Sequence, residues 1–96
     1  MPAVNFVLLW PDGVEEKCYS PSTVIYDYFE VGESYSLDEF MTLSEAALIS
    51  ASERVRQRYG YLCSSASDQL KLIQARIDHF KNSHARGQVT IVHMSH

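Results

Sequence analysis

Residues 4–10, Val-Asn-Phe-Val-Leu-Leu-Trp, constrain this chain more than any other segment. They read as a β-strand that is apolar on both faces. A strand of that kind belongs in the middle of a sheet, covered on both sides. Pro11-Asp12-Gly13 follows and reads as a turn. Proline presets φ at the first corner, and glycine accepts the positive φ needed at the exit. Val14 to Tyr19 is then the returning strand of a β-hairpin. Its charges, Glu15, Glu16 and Lys17, suit a sheet edge.

Pro21 stops that strand. Ser22 or Thr23 can cap a short helix over Val24 to Phe29, although the β-branched and aromatic content there also fits an extended loop. Gly32 is a break, with Val31 and Tyr35 expected to pin the loop to the core. Ser36-Leu37-Asp38-Glu39 matches a capping box, in which serine and glutamate satisfy each other's backbone N–H groups. The spacing of Phe40, Leu43, Ala47, Ala51 and Val55 predicts a long helix from Leu37 to about Tyr59. Its acids lie early and its arginines late, which complements the helix dipole. Gly60 is placed to end it. After Tyr61-Leu62-Cys63, Ser64 or Ser65 caps a second helix with the stripe Ala66, Leu70, Ile73, Ile77 and Phe80. This helix ends near Ser83. Beyond Gly87, Gln88 to Met94 reads as a third strand, with residues 94–96 expected to be loose.

The fold class that follows is α+β, in the order β-β-(α)-α-α-β, as a single domain over residues 1–96. The expected sheet has three mostly antiparallel strands in the order 2-1-3, with two long helices packed on one face. A right-handed crossover from the second strand leaves the third antiparallel to the first. The other face of the apolar first strand also demands cover. Residues 21–35 or another subunit are the candidates, so a homo-oligomer is expected.

The chain has 96 residues, 46% hydrophobic and 21% charged, which suits one globular core. No apolar run reaches the length of a membrane helix. Neither a signal peptide nor a lipidation box is recognisable, which favours the cytoplasm. The two cysteines, Cys18 and Cys63, are too few for a secreted disulfide scaffold. Two buried thiols are expected, with a single disulfide or a shared site as alternatives.

The net charge of −4 is unevenly spread. Residues 1–53 hold ten acids and one base, and residues 54–96 hold seven bases and two acids. Neutralisation within the fold is the plain reading, and association through opposite patches the sharper one. No nucleic-acid partner is expected, because the overall charge repels phosphate and the bases are not interleaved with aromatic residues.

Candidate chemistry is sparse. Cys63 precedes a predicted helix whose dipole lowers a thiol pKa, and Cys18 lies on a strand with no base nearby in sequence. Packed thiols are the simpler reading of both. The histidines His79, His84, His93 and His96 make no zinc spacing with the cysteines, so no metal and no cofactor are expected. Asp12, Glu15 and Glu16 at the hairpin read as solvating charges. Arg54 and Arg58 share a helix face and suit a small anion. Trp10, Tyr19, Tyr59 and Tyr61 are candidates for a partner surface, weighed against ordinary packing.

Several short motifs stand together in order: Trp10-Pro11-Asp12-Gly13, Cys18-Tyr19-Ser20-Pro21-Ser22, Ala51-Ser52-Glu53-Arg54-Val55-Arg56, Tyr59-Gly60, Cys63 and Asp68-Gln69-Leu70. In these the chain resembles a small family of bacterial nitrogen-starvation response proteins, over nearly its whole length. The resemblance implies a genetic setting beside a nitrilase, a radical-SAM protein, an acetyltransferase-like protein and a flavoprotein, linked to nitrile or cyanide nitrogen use. It assigns no catalytic residue. Pro11, Gly13, Ser22 and Gly60 have turn or cap explanations. Cys18, Arg54, Cys63, Asp68 and Gln69 have none as plain and, with Arg58, are the candidate binding residues. The expectation is a non-catalytic accessory or binding module, self-associating and serving enzymes of that gene cluster. The alternative is a small enzyme or metabolite-binding protein with a pocket of Cys18, Cys63 and Arg54, and a third reading is a sensor of a small anion at Arg54 and Arg58.

Overall fold

The expected hairpin forms. In the computed structural model, which describes residues 3–60, 64–83 and 87–95, β1 (Val4–Leu9) and β2 (Glu15–Ser20) pair antiparallel from Val4 opposite Ser20 to Leu9 opposite Glu15. The turn closes by Gly13 N–H donating to Trp10 O at 2.9 Å and Trp10 N–H to Val14 O at 2.9 Å. Asp12 Oδ1 accepts from Val14 N–H, and Gly13 takes a φ of 87°. This is a three-residue hairpin turn closed by a left-handed glycine, a common solution.

The short helix is a 3-10 turn over Thr23–Asp27, capped by Ser22, whose Oγ accepts from Val24 N–H. Helix α1 spans Leu37–Tyr59, with Ser36 Oγ accepting from Glu39 N–H at 3.1 Å and Gly60 in the left-handed region at its end. Helix α2 spans Ser64–Asn82. The connector 61–63, with Cys63 and Tyr61, lies outside the described residues, as do His84 and His96.

The sheet has four strands, not three. Ser34–Ser36 forms a short strand, β3, and the last strand, β4 (Gln88–Ser95), lies between β3 and β1. The order is β2-β1-β4-β3, antiparallel throughout. The expected 2-1-3 core of the arrangement is retained, and the correction is the extra edge strand. Three residues of Ser-Tyr-Ser carry almost no strand signal of their own. Their partner is far away in sequence, with Ser34 Oγ and Thr90 Oγ1 2.7 Å apart. Gly32 N–H to Ile91 O and Ile91 N–H to Glu33 O extend the pairing. The tail is also tighter than expected, because Met94 stands opposite Phe6 and Ser95 opposite Asn5.

Residues directly opposite in a ladder share a face. Val4, Phe6, Leu8, Cys18, Tyr35, Val89 and Ile91 therefore point one way. There they join Phe40, Ala47 and Leu48 of α1 and Ala66, Ile73, Ile77 and Phe80 of α2 in one core. Both helices thus cover one face, as expected. Ile25 and Phe29 belong to the same core, so residues 21–35 pack on the helix side and leave the second face bare. Tyr35 pins this segment through an edge-on contact with Phe29. Val31 does not: it is 56% exposed, because the loop is held there by the backbone of Gly32 and Glu33.

Candidate functional site

The sequence candidates separate into three places. The first is the join between β2 and α2. Cys18 faces inward on β2 and is 4% exposed, a free thiol. Burial pushes its pKa up to about 12, and the neighbouring Glu16 carboxylate, 3.8 Å from the sulfur, adds to the rise. Arg76 on α2 opposes this weakly. Its Nε donates to Glu16 Oε1 at 3.0 Å, and its guanidinium lies 5.5 Å from the centre of the Trp10 ring. Gln69, 8% exposed, accepts the Tyr19 N–H at 2.9 Å. That contact closes part of the free edge of β2 and explains Gln69 as a fastener between helix and sheet. Asp68 beside it faces solvent.

A nucleophilic thiol needs stabilised negative charge. The surroundings of Cys18 do the opposite. With Cys63→Ser leaving Cys18 as the single thiol, alkylation by iodoacetamide at mildly alkaline pH is expected to run about a thousandfold slower than for free cysteine, matching the raised pKa. The folded pKa lies above the unfolded one, so the neutral thiol favours the folded state fully below pH 9. That contribution is lost as pH rises from 9 to about 12. Urea titrations across this range should fall less steeply for Cys18→Ala than for the parent. Equal slopes would show that Cys18 does not carry the effect.

The second place is a cleft between the 3-10 turn and the later turns of α1. It has a volume of about 380 Å³ and is lined by Val24, Asp27, Tyr28, Ile49, Ser50, Glu53, Arg54 and Gln57. Tyr28 Oη and Ser50 Oγ, 3.0 Å apart, join its two walls. Arg54 is thus in a cleft, but Cys18 lines none of it. The expected common pocket of Cys18 and Arg54 does not form. The physical reason is that Arg54 faces the 3-10 turn on the flank of α1, while Cys18 points into the core from β2. Arg58 is placed elsewhere, stacked near the Tyr59 ring at 5.9 Å. Cys63 lies outside the described residues. Asp27 and Tyr28 were not legible as site residues, since only the tertiary fold sets them against Arg54.

The third place is the bare face of the sheet. Val7 and Leu9 sit there half-buried, flanked by Glu15, Lys17 and Tyr19 on β2 and by Thr90 and His93 on β4. Tyr19 is 37% exposed and Val92, at the bulge in β4, is 39% exposed. Trp10, in contrast, is not a partner-surface residue. It continues the inward alternation of Val4, Phe6 and Leu8, is 1% exposed, and stacks on Phe40 and Phe80. Tyr61 lies outside the described residues.

Charge is partly matched inside the fold. Of the ion pairs among the described residues, Glu16–Arg76 and Asp38–Lys81 join the acidic first half to the basic second half. Glu53–Arg56 lies within α1. No helix among the described residues is long and apolar enough to cross a membrane.

These features define a two-layer α+β domain, with helices on one side of an antiparallel sheet and the other side open among the described residues. The chain belongs to the family described as nitrogen starvation-induced protein NitG, whose family model matches residues 5–94. Comparison with curated proteins and with solved structures returns no match. Every described residue that carries the sequence resemblance lies within the matched span.

Proposed function

We propose that the chain is a non-catalytic association module of the nitrogen-starvation response, acting in the cytoplasm and pairing with a second copy through the open face of its sheet. The observation that carries this reading is the row Val7–Leu9, apolar on a face that no element among the described residues covers. Growth along the sheet edges is the less favoured mode. Gln69 plugs part of the β2 edge, and β3 offers only three residues.

Charge selects a copy of the chain as occupant. Glu15 and Lys17 lie two apart on the same face, Glu15 opposite Leu9 and Lys17 opposite Val7 in the ladder. A two-fold antiparallel packing sets Lys17 of each copy against Glu15 of the other. Four short strands present about 400 Å² per copy. That lies below the range of stable specific interfaces, in the size class of weak transient contacts, so the dimer is weak and reversible.

The test is sedimentation velocity from about 10 μM to about 1 mM, the range where an interface of this size associates. The dimer fraction is expected to rise across it and to vanish in Val7→Lys, which places a charge beside Lys17. Lys17→Glu is expected to weaken pairing, and the swap of Glu15→Lys with Lys17→Glu to restore it. A chain that stays monomeric throughout, or a dimer indifferent to these substitutions, sinks the proposal. Capture of an enzyme encoded nearby by the same face would replace the second copy with that enzyme.

A further inference from the structure

The cleft beside Arg54 holds charges of both signs that do not close on one another. Ion pairs among the described residues are Glu53–Arg56, Glu16–Arg76 and Asp38–Lys81, and neither Arg54 nor Asp27 takes part in one. Yet both line the same volume of about 380 Å³. They stand on separate elements whose spacing is fixed. The Tyr28–Ser50 hydrogen bond ties the 3-10 turn to α1, and the buried side chains Val24 and Ile25 anchor that turn in the protein. The backbone spacing of the two elements that carry guanidinium and carboxylate is therefore set by the fold, while the exposed side chains themselves can adjust to a ligand.

We infer that this cleft binds a small zwitterion carrying one carboxylate and one ammonium group, the chemistry of a free amino acid. Arg54 receives the carboxylate, because a guanidinium fork pairs with both of its oxygens. Asp27 receives the ammonium. The ligand's remaining atoms lie against Val24 and Ile49. A plain anion leaves the Asp27 carboxylate unmatched, and a plain cation leaves the guanidinium unmatched. A molecule bearing both charges at short separation satisfies each wall. The volume lies in the range of small-molecule sites. The cleft is open, so binding is modest in strength and weakens with salt. This site lies at the helix edge and is independent of the proposed sheet-face dimer.

The test is a titration of the full ¹⁵N-labelled chain at low ionic strength, followed by amide chemical shifts. The probes are the common L-amino acids, with propionate and ethylamine as the two halves of alanine. At least one amino acid is expected to give saturable shifts confined to residues 24–28 and 50–57. The two halves should bind at least about tenfold more weakly than alanine, because each lacks one charge-assisted contact. Arg54→Gln and Asp27→Asn should each weaken binding about tenfold or more, leaving distant resonances in place. The comparison of whole and half molecules stands even if either variant folds poorly. No saturable shift with any amino acid up to about 50 mM overturns the inference. So does propionate binding as tightly as alanine, or binding that survives both substitutions.

Discussion

Trp10→Ala is expected to lower the unfolding free energy by about 3–5 kcal/mol, the range for removing a large buried aromatic ring. A domain of this size has a total stability of about 5–14 kcal/mol. The substitution therefore removes a large share of it and lowers Tm by at least about 15 °C. The reason is the number of elements that meet on one ring. Trp10 leaves the end of β1 and stacks on Phe40 of α1 at 5.9 Å and on Phe80 of α2 at 5.7 Å. Phe40 in turn meets Phe29 at 5.2 Å, and Phe29 meets Tyr35 of β3. One run of aromatic rings thus joins the hairpin, both helices and the edge strand. Trp10→Phe should cost much less, for two reasons. It keeps an aromatic surface on Phe40 and Phe80, and it removes the indole Nε1, which is buried without a hydrogen-bond partner among the described residues. Chemical denaturation followed by far-UV circular dichroism measures both variants. A loss below about 1 kcal/mol for Trp10→Ala would show that the rings are not the keystone of the fold.

Much of this architecture is legible in the chain itself, where local rules act. The Pro11-Asp12-Gly13 turn, the Ser36 cap, the full span of α1 and the αL end at Gly60 follow from residues within a few positions of one another. The stripe of α2 falls where its spacing puts it, and that of α1 nearly so: Leu43 is only half-buried, while Ser44 and Leu48 also turn inward. What the chain conceals is set by partners distant in sequence. Strand β3 exists because β4 comes back to pair with it. Gln69 and Arg76 gain their roles only when α2 lies against β2. Glu16 reads as a solvated edge charge, yet its alternation with Cys18 and Ser20 places it on the helix side, half-buried. That phase was available from the strand period and is outweighed by composition. The candidate site was the least legible part. Arg54 stands out as a cation near a helix end, but its counterparts, Asp27 and Tyr28, come from a turn whose position depends on the whole core.

Gly87→Ala is expected to cost about 2–4 kcal/mol, although it adds only a methyl group near the surface. Two effects combine. Gly87 has a φ of 142°, a conformation that residues with a side chain rarely adopt. A Cβ built there would also stand 2.9 Å from the Cβ of Pro11, closer than such atoms come. The chain enters β4 here and passes directly against the β1–β2 turn. Gly32 offers the matched control. Its φ is 90°, but a Cβ there meets nothing within 4 Å, so Gly32→Ala carries the backbone strain alone. The excess cost of Gly87→Ala over Gly32→Ala then combines the contact with Pro11 and the rarer φ at Gly87. A double-mutant cycle isolates the contact, since Pro11→Gly removes the opposing Cβ and should recover about 1–2 kcal/mol of the Gly87→Ala loss. The consequence reaches the open sheet face. Displacing the start of β4 shifts Thr90 and His93 relative to Val7 and Leu9, so Gly87→Ala should weaken self-association even at temperatures where the chain remains folded. Equal costs at Gly87 and Gly32, with no coupling to Pro11, would mean that the turn yields freely and that this close approach does not set the register of β4.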